Sequence, residues 1–273
     1  MKQTLLLLVG LTVALFIQAQ TTKDKTTKSK IKSATTTTAT ATSTGTVTGT
    51  ATKAKADWSK LDLSSRPGDH FMIQYGSDMW LGKPDSVRTG GFSRHFNLYF
   101  MLDKPFKTDP HYSLGIGAGI GSSNMFFTNT NVNVKANTAK LPFTNVDSAD
   151  HFKKFKLTTM ALEIPVEIRH FSDPEHPGRS WKWAAGVKVG TLLKAYTKGK
   201  NLENKAGSSI YGNTYIVKES NKRFMNGTVL ALTGRYGYGI FSVDAQYNLI
   251  GVLKDGSGPA MNKFSFGFTI SGL

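Results

Sequence analysis

The chain has 273 residues, a formal net charge of +16 and no cysteine, which excludes disulfides and also a lipid-modified cysteine behind a leader peptide. Hydrophobic residues make up 39% of it and its mean hydropathy is −0.24. With no long apolar run beyond the N-terminus, a helical membrane protein is excluded. A membrane barrel is not, because only every second residue of a spanning strand has to be apolar.

Met1 and Lys2 lead into the apolar run LLLLVGLTVALFI, with small Ala19 at a plausible cleavage point. Residues 1–20 read as a secretory signal peptide, too short for an unbroken spanning helix and followed directly by a polar tract. Export makes nucleic acid an unsuitable partner for the positive charge and points to anionic envelope polymers or lipid headgroups. Residues 21–57 are almost entirely Thr, Ala, Lys, Ser and Gly. Such a tract cannot bury enough apolar surface to offset its ordering entropy, so it reads as a disordered basic tether with a reach on the order of 35 Å. Residues 58–273 are left for the folded domain.

From Phe71 onward, side chains alternate with a period of two, the mark of strands with one apolar and one polar face. FMIQYGSDMWL sets Phe71, Ile73 and Tyr75 against Met72, Gln74 and Gly76. GFSRHFNLYFML follows, and then YSLGIGAGIG, whose polar face is nearly bare from Gly115 to Gly121. The fourth segment, Lys156 to Phe171, contains LEIPVEIR; the fifth is SWKWAAGVKVGTLL, and the sixth, NGTVLALTGRY, is the least regular. IFSVDAQYNLI and NKFSFGFTISGL complete eight segments. The clear ones run to about ten residues, the length of a tilted bilayer span.

The connections alternate too. DKPFKTDPH, HFSDPEHPGRS and GYG follow segments two, four and six, whereas long stretches around Asn129 to Lys154 and Tyr196 to Lys222 follow three and five. Short turns on one rim and long loops on the other predict an all-β, eight-stranded antiparallel up-and-down transmembrane β-barrel in the outer membrane. Both chain ends then fall on the periplasmic side. Phe, Leu, Ile and Val should face lipid, while Gly, Ser, Asn and a few charges fill an interior too narrow for a channel. Glu163, Glu167 and Asp244 are expected to meet Arg169, Lys182, Lys188 and Arg235 there. Trp80, Trp181, Trp183, Tyr236 and Tyr238, near strand ends, are candidates for aromatic girdles. Pro165 cannot donate to a strand ladder, so a bulge or local break is expected at it.

LEIPVEIR, followed by a turn and the WKWAAGVKVGTLL strand, resembles the PorT-like outer-membrane β-barrel family common in Bacteroidetes-type bacteria. The likeness covers roughly Phe71 to Leu273. It implies an eight-stranded outer-membrane barrel, with some relatives associated with protein secretion and gliding machinery. The family offers no catalytic residues to carry over. Asp85-Ser86-Val87 and Asp147-Ser148-Ala149 resemble the O-glycosylation signal of such bacteria, but matches of three residues arise readily by chance.

The leading expectation is a non-enzymatic barrel with a structural or interaction role, long basic extracellular loops and no open pore. Its partners would be outer-membrane lipids, other envelope or secretion proteins, and anionic polymers met by the tether. A membrane-embedded hydrolase acting on lipid or peptide is the main alternative, and Ser93, His95 and Glu163 are the best trio for it. A soluble secreted barrel holding an apolar ligand would invert every face, though the sparse charge on the polar face argues against it. The six histidines are scattered without metal spacing, and GIGAGIG lies within a strand rather than opening a helix. No catalytic, cofactor-binding or metal residues are therefore assigned.

Overall fold

The computed structural model describes residues 70–90 and 92–272. The signal peptide read over 1–20 and the tether read over 21–57 lie outside the described residues. The strands are β1 (Phe71–Leu81), β2 (Arg94–Pro105), β3 (Tyr112–Phe127), β4 (Thr130–Val132), β5 (Phe143–Asn145), β6 (His151–Phe171), β7 (Trp181–Glu203), β8 (Ile216–Ser220), β9 (Thr228–Tyr238), β10 (Phe241–Asn248) and β11 (Asn262–Ser271). A small separate hairpin joins β4 to β5, and β8 hangs on the far end of β7. The other eight form a closed antiparallel barrel in which every strand pairs with its neighbours in the meander. The first and last strands complete the ring, with Met72 facing Ser271 and Leu81 facing Asn262.

Closure matters energetically because no backbone group on an open edge can be left bare in lipid. The period of two then sorts the side chains. Phe96, Ile164 and Phe268 stand 49%, 47% and 68% exposed on the outer wall, whereas Asn97, Glu163 and Thr269 beside them are buried. Exposed apolar rows on a closed barrel are what a lipid solvent selects. At the rim of the short turns Trp181 stacks on Tyr236 at 5.6 Å and meets Tyr238 edge-on at 5.4 Å, while His170 stacks on Trp183 at 5.6 Å. The tight β9–β10 hairpin turns through Gly239, at a φ of 58° that favours glycine.

Three strands run well past a bilayer's needs: β3 has 16 residues, β6 has 21 and β7 has 23. The extensions lie at the long-loop end. They begin near a bulge between Met160 and Ala161, where Lys194 and Leu192 are the partners and Leu193 is the extra residue of β7. The extra residue inverts the alternation: Lys188 points inward before it, while Ala195 and Thr197 are the buried residues after it.

Pro165 stays in register with Lys188 and makes no bulge. The β3 ladder does skip two pairs there, between Ile116–Val166 and Gly119–Glu163, so the local break is real and the register on either side of it is unchanged. Trp80 also departs from expectation. It points inward, is buried, and meets Phe127 edge-on at 5.6 Å, so it belongs to the core and to no girdle.

Candidate functional site

The interior has two storeys. Toward the short-turn end and the middle it is mostly polar, with Met72 and Met101 packed on Tyr99 as a small apolar island. Glu163 on β6 accepts hydrogen bonds from Tyr99 on β2 at 2.5 Å and pairs with Lys188 on β7 at 3.0 Å. The Lys188 amine also donates to Gln246 at 2.6 Å, and Gln246 donates to Gln74 at 2.9 Å. Gln74 accepts from Asn97 at 3.1 Å and donates to Thr269 at 3.1 Å, whose hydroxyl reaches Asp244 at 2.8 Å. One chain of bonds thus crosses the lumen through β1, β2, β6, β7, β10 and β11.

A second group lies nearer the short turns. Glu167 holds Arg235 at 2.7 Å and Arg169 at 3.2 Å, and Arg169 reaches Asp103 at 3.5 Å. Ser113 donates to Asp103 at 2.6 Å, and Lys182 donates to Ser271 at 2.8 Å. The expected meeting of luminal acids and bases is therefore found for Glu163, Glu167, Arg169, Lys188 and Arg235. Asp244 is met by hydroxyl and amide groups. Buried charges demand such partners, since an isolated one is costly.

The bare glycine face of β3 makes room for this network. A Cβ on Gly121 would lie 2.6 Å from Glu163 Oε2, one on Gly119 2.6 Å from Tyr99 Cδ1, and one on Gly115 2.5 Å from Arg169 Nε. Where glycine faces a long polar neighbour across a narrow barrel, the missing side chain sets the neighbour's position.

The hydrolase trio does not assemble. Ser93 accepts the N–H of Phe126 at 3.0 Å, Glu163 is engaged by Tyr99 and Lys188, and His95 turns to Asp78, with Nδ1 2.9 Å from Oδ1. Ser123 donates to the other oxygen of Asp78. His95 Nε2 is buried and meets no hydrogen-bond partner among the described residues. A serine nucleophile would have to stand at that nitrogen. The cluster Asp78, His95 and Ser123 was missed by the reading of the sequence because its members share no local spacing and meet only through the β1–β2–β3 register.

Above the polar storey the interior is apolar. Trp80, Met125, Leu157, Leu192, Phe224 and Met225 form a buried cluster with loop residues such as Val87, Leu141 and Leu253. A half-open cavity of about 60 Å³ separates the storeys, with Lys263 and Glu163 on its polar side and Trp80 and Leu192 on the other. Among the described residues no group of three or more His, Cys, Asp or Glu could hold a metal ion.

The family model for the outer membrane protein beta-barrel domain matches residues 59–252. The chain belongs to this family. None of the curated proteins compared with it matches. The match spans β1 to β10, and β11 supplies the strand that closes the ring onto β1. Family membership and the closed ring with its apolar outer wall place this outer-membrane barrel in the outer membrane. The soluble ligand-binding alternative is thereby set aside: the Phe and Ile faces look outward and the charges inward.

Proposed function

We propose that this outer-membrane barrel is a sealed, non-catalytic scaffold that presents its long, basic loops outside the cell and keeps both chain ends in the periplasm. The two-storey interior carries the reading. A hydrogen-bonded ionic network crosses the lumen, and an apolar plug closes over it, so neither storey offers a water-filled path. The blade made by the far ends of β6 and β7 with β8 adds a rigid surface beyond the membrane. Rigid strands projecting past the bilayer suit contact with a partner better than transport. Catalysis gains no support from His95, which has an orienting carboxylate but no nucleophile among the described residues.

The PorT-like resemblance extends this to a place beside protein-secretion components, with other envelope or secretion proteins as partners of the loops. The basic stretch 21–57 would meet anionic envelope polymers, and outer-membrane lipids would surround the apolar wall. Two experiments test the core of the proposal. Purified, heat-modifiable barrel placed in planar bilayers should give no discrete conductance steps; steady openings that scale with protein would overturn the sealed reading. Ser208→Cys, in a background with no cysteine, should react with a membrane-impermeant maleimide on whole cells. Labelling only after cell breakage would reverse the orientation.

A further inference from the structure

The outer wall above the apolar band has an arrangement of charge that folding alone does not explain. In register across the sheet, Leu98, Ile120 and Leu162 form one outward row, and Phe96, Ser122 and Met160 the next. One row further lie Arg94, Asn124, Thr158, Tyr196 and Ser220, and beyond them Phe126, Lys156, Lys198 and Lys218. Lys154 faces Lys200 in the row after that. Lys156, Lys198 and Lys218 are thus directly opposite one another on three neighbouring strands, an arrangement that costs stability when nothing neutralises it. No Asp or Glu occupies an outward position in these rows.

Internal partners ease the arrangement without supplying an anion. Lys218 sits over the Tyr196 ring at 4.2 Å, while Lys156 and Arg94 each lie 5.6 Å from the centre of the Phe126 ring. Lys156 also donates to Asn124 at 2.7 Å. A shallow groove lined by Phe92, Arg94, Phe126, Lys153 and Lys154 runs beside them; of its cations Lys153 already pairs with Glu203 at 3.2 Å. Successive rows are about 7 Å apart along a strand, so Arg94 stands one step and the lysine row two steps above the lipid-facing Phe96, at headgroup depth.

We infer that this face of β2, β3, β6, β7 and β8 is a docking surface for the phosphate groups of an anionic lipid in the outer leaflet, with its acyl chains against the apolar rows below. The leaflet rests on the orientation proposed above; the phosphate site does not. Anionic lipid supplies the missing counter-charge, and at about 1 kcal/mol per cation near such a surface each lysine is worth about fivefold in retention.

The test is native mass spectrometry of the detergent-extracted full-length barrel with diphosphoryl lipid A, the same lipid stripped of phosphate, and inorganic phosphate as competitor. The triple variant K156Q/K198Q/K218Q should lose about a hundredfold in retention of the diphosphoryl lipid, while K135Q/K140Q/K205Q, which removes equal charge from the loops, should retain it as the wild type does. Heat-modifiable migration identifies folded protein in every sample. Without anionic lipid the first variant should unfold at higher denaturant than wild type, because the like-charge row has been relieved. Equal retention by both variants, undiminished binding of the dephosphorylated lipid, or full displacement by inorganic phosphate would overturn the site. Failure of the Ser208→Cys labelling on whole cells with lipid retention intact would overturn only the choice of leaflet.

Discussion

Lys188 and Glu163 stand 3.0 Å apart on neighbouring strands at the middle of the barrel, both almost wholly buried, and Tyr99 caps the same carboxylate oxygen. Removing one member leaves the other charged and unpaired, which costs about 3–5 kcal/mol for a buried pair. Lys188→Met should therefore lower the denaturant midpoint of the micelle-refolded barrel sharply. Lys188→Met with Glu163→Gln should recover most of the loss, because both charges then go together. A double variant no better than the single one would show that the network depends on Lys188 for more than its charge.

The glycine face of β3 allows a graded prediction. A methyl on Gly119 runs into backbone atoms of Leu98 and Tyr99, which cannot give way, whereas a methyl on Gly121 meets the movable end of Glu163. Gly119→Ala should cost about 1–3 kcal/mol, as overpacking in a tight core does, and Gly121→Ala should cost less. Gly234→Ala, with nothing within 4 Å of the added carbon, should be close to neutral. The order of the three denaturation midpoints checks the argument.

Period-two alternation was enough to read the barrel wall, from the rows around Phe96 and Ile164 to the inward set of Glu163, Glu167 and Arg169. It failed where the period itself changes. Leu193, the extra residue at the bulge, inverts the alternation in β7, so Ala195 to Glu203 no longer continue the pattern of Val187 and Val189. The alternation accordingly ends the fifth strand near Leu193, ten residues short of its end at Glu203. The apolar plug was hidden for a related reason: Trp80, Met125 and Leu157 are inward residues that gather into a large apolar cluster near the top of the lumen, where loops rather than charges cover them. The network partners Gln74 and Gln246 are 172 residues apart in the chain. No local spacing could have joined them.

The two tryptophan environments are separable by experiment. Trp181 is on the outer wall beside Tyr236 and Tyr238, whereas Trp80 lies inside against Phe127. In single-tryptophan variants, brominated lipid should quench Trp181 strongly and Trp80 hardly at all. Trp80→Ala should cost about 3–5 kcal/mol through the cavity it leaves, and Trp181→Ala distinctly less. Strong quenching of Trp80 would return it to the membrane interface and remove it from the plug.

The short turn after β6 should report pH. The backbone N–H of His176 donates to the Asp173 carboxylate at 3.1 Å, the Glu175 N–H does so at 3.0 Å, and the His176 ring lies 3.2 Å away. The bond from the His176 N–H above all, helped by the ring and by Glu175, holds this carboxyl below the ordinary aspartate range. A carboxyl with a lowered folded pKa contributes stability that is present above its unfolded value, about 4, and is lost as pH falls through the lower folded one. The turn is exposed, so the effect is local. Hydrogen exchange at the amides of Glu175 and His176 should be slowed at neutral pH and should quicken relative to intrinsic rates only below about pH 4. Asp173→Asn should abolish that acid step while leaving the heat-modifiable barrel intact. An acid step that survives the substitution would assign it to another carboxylate of the rim, such as Asp109, which is bound to His111 in the same manner.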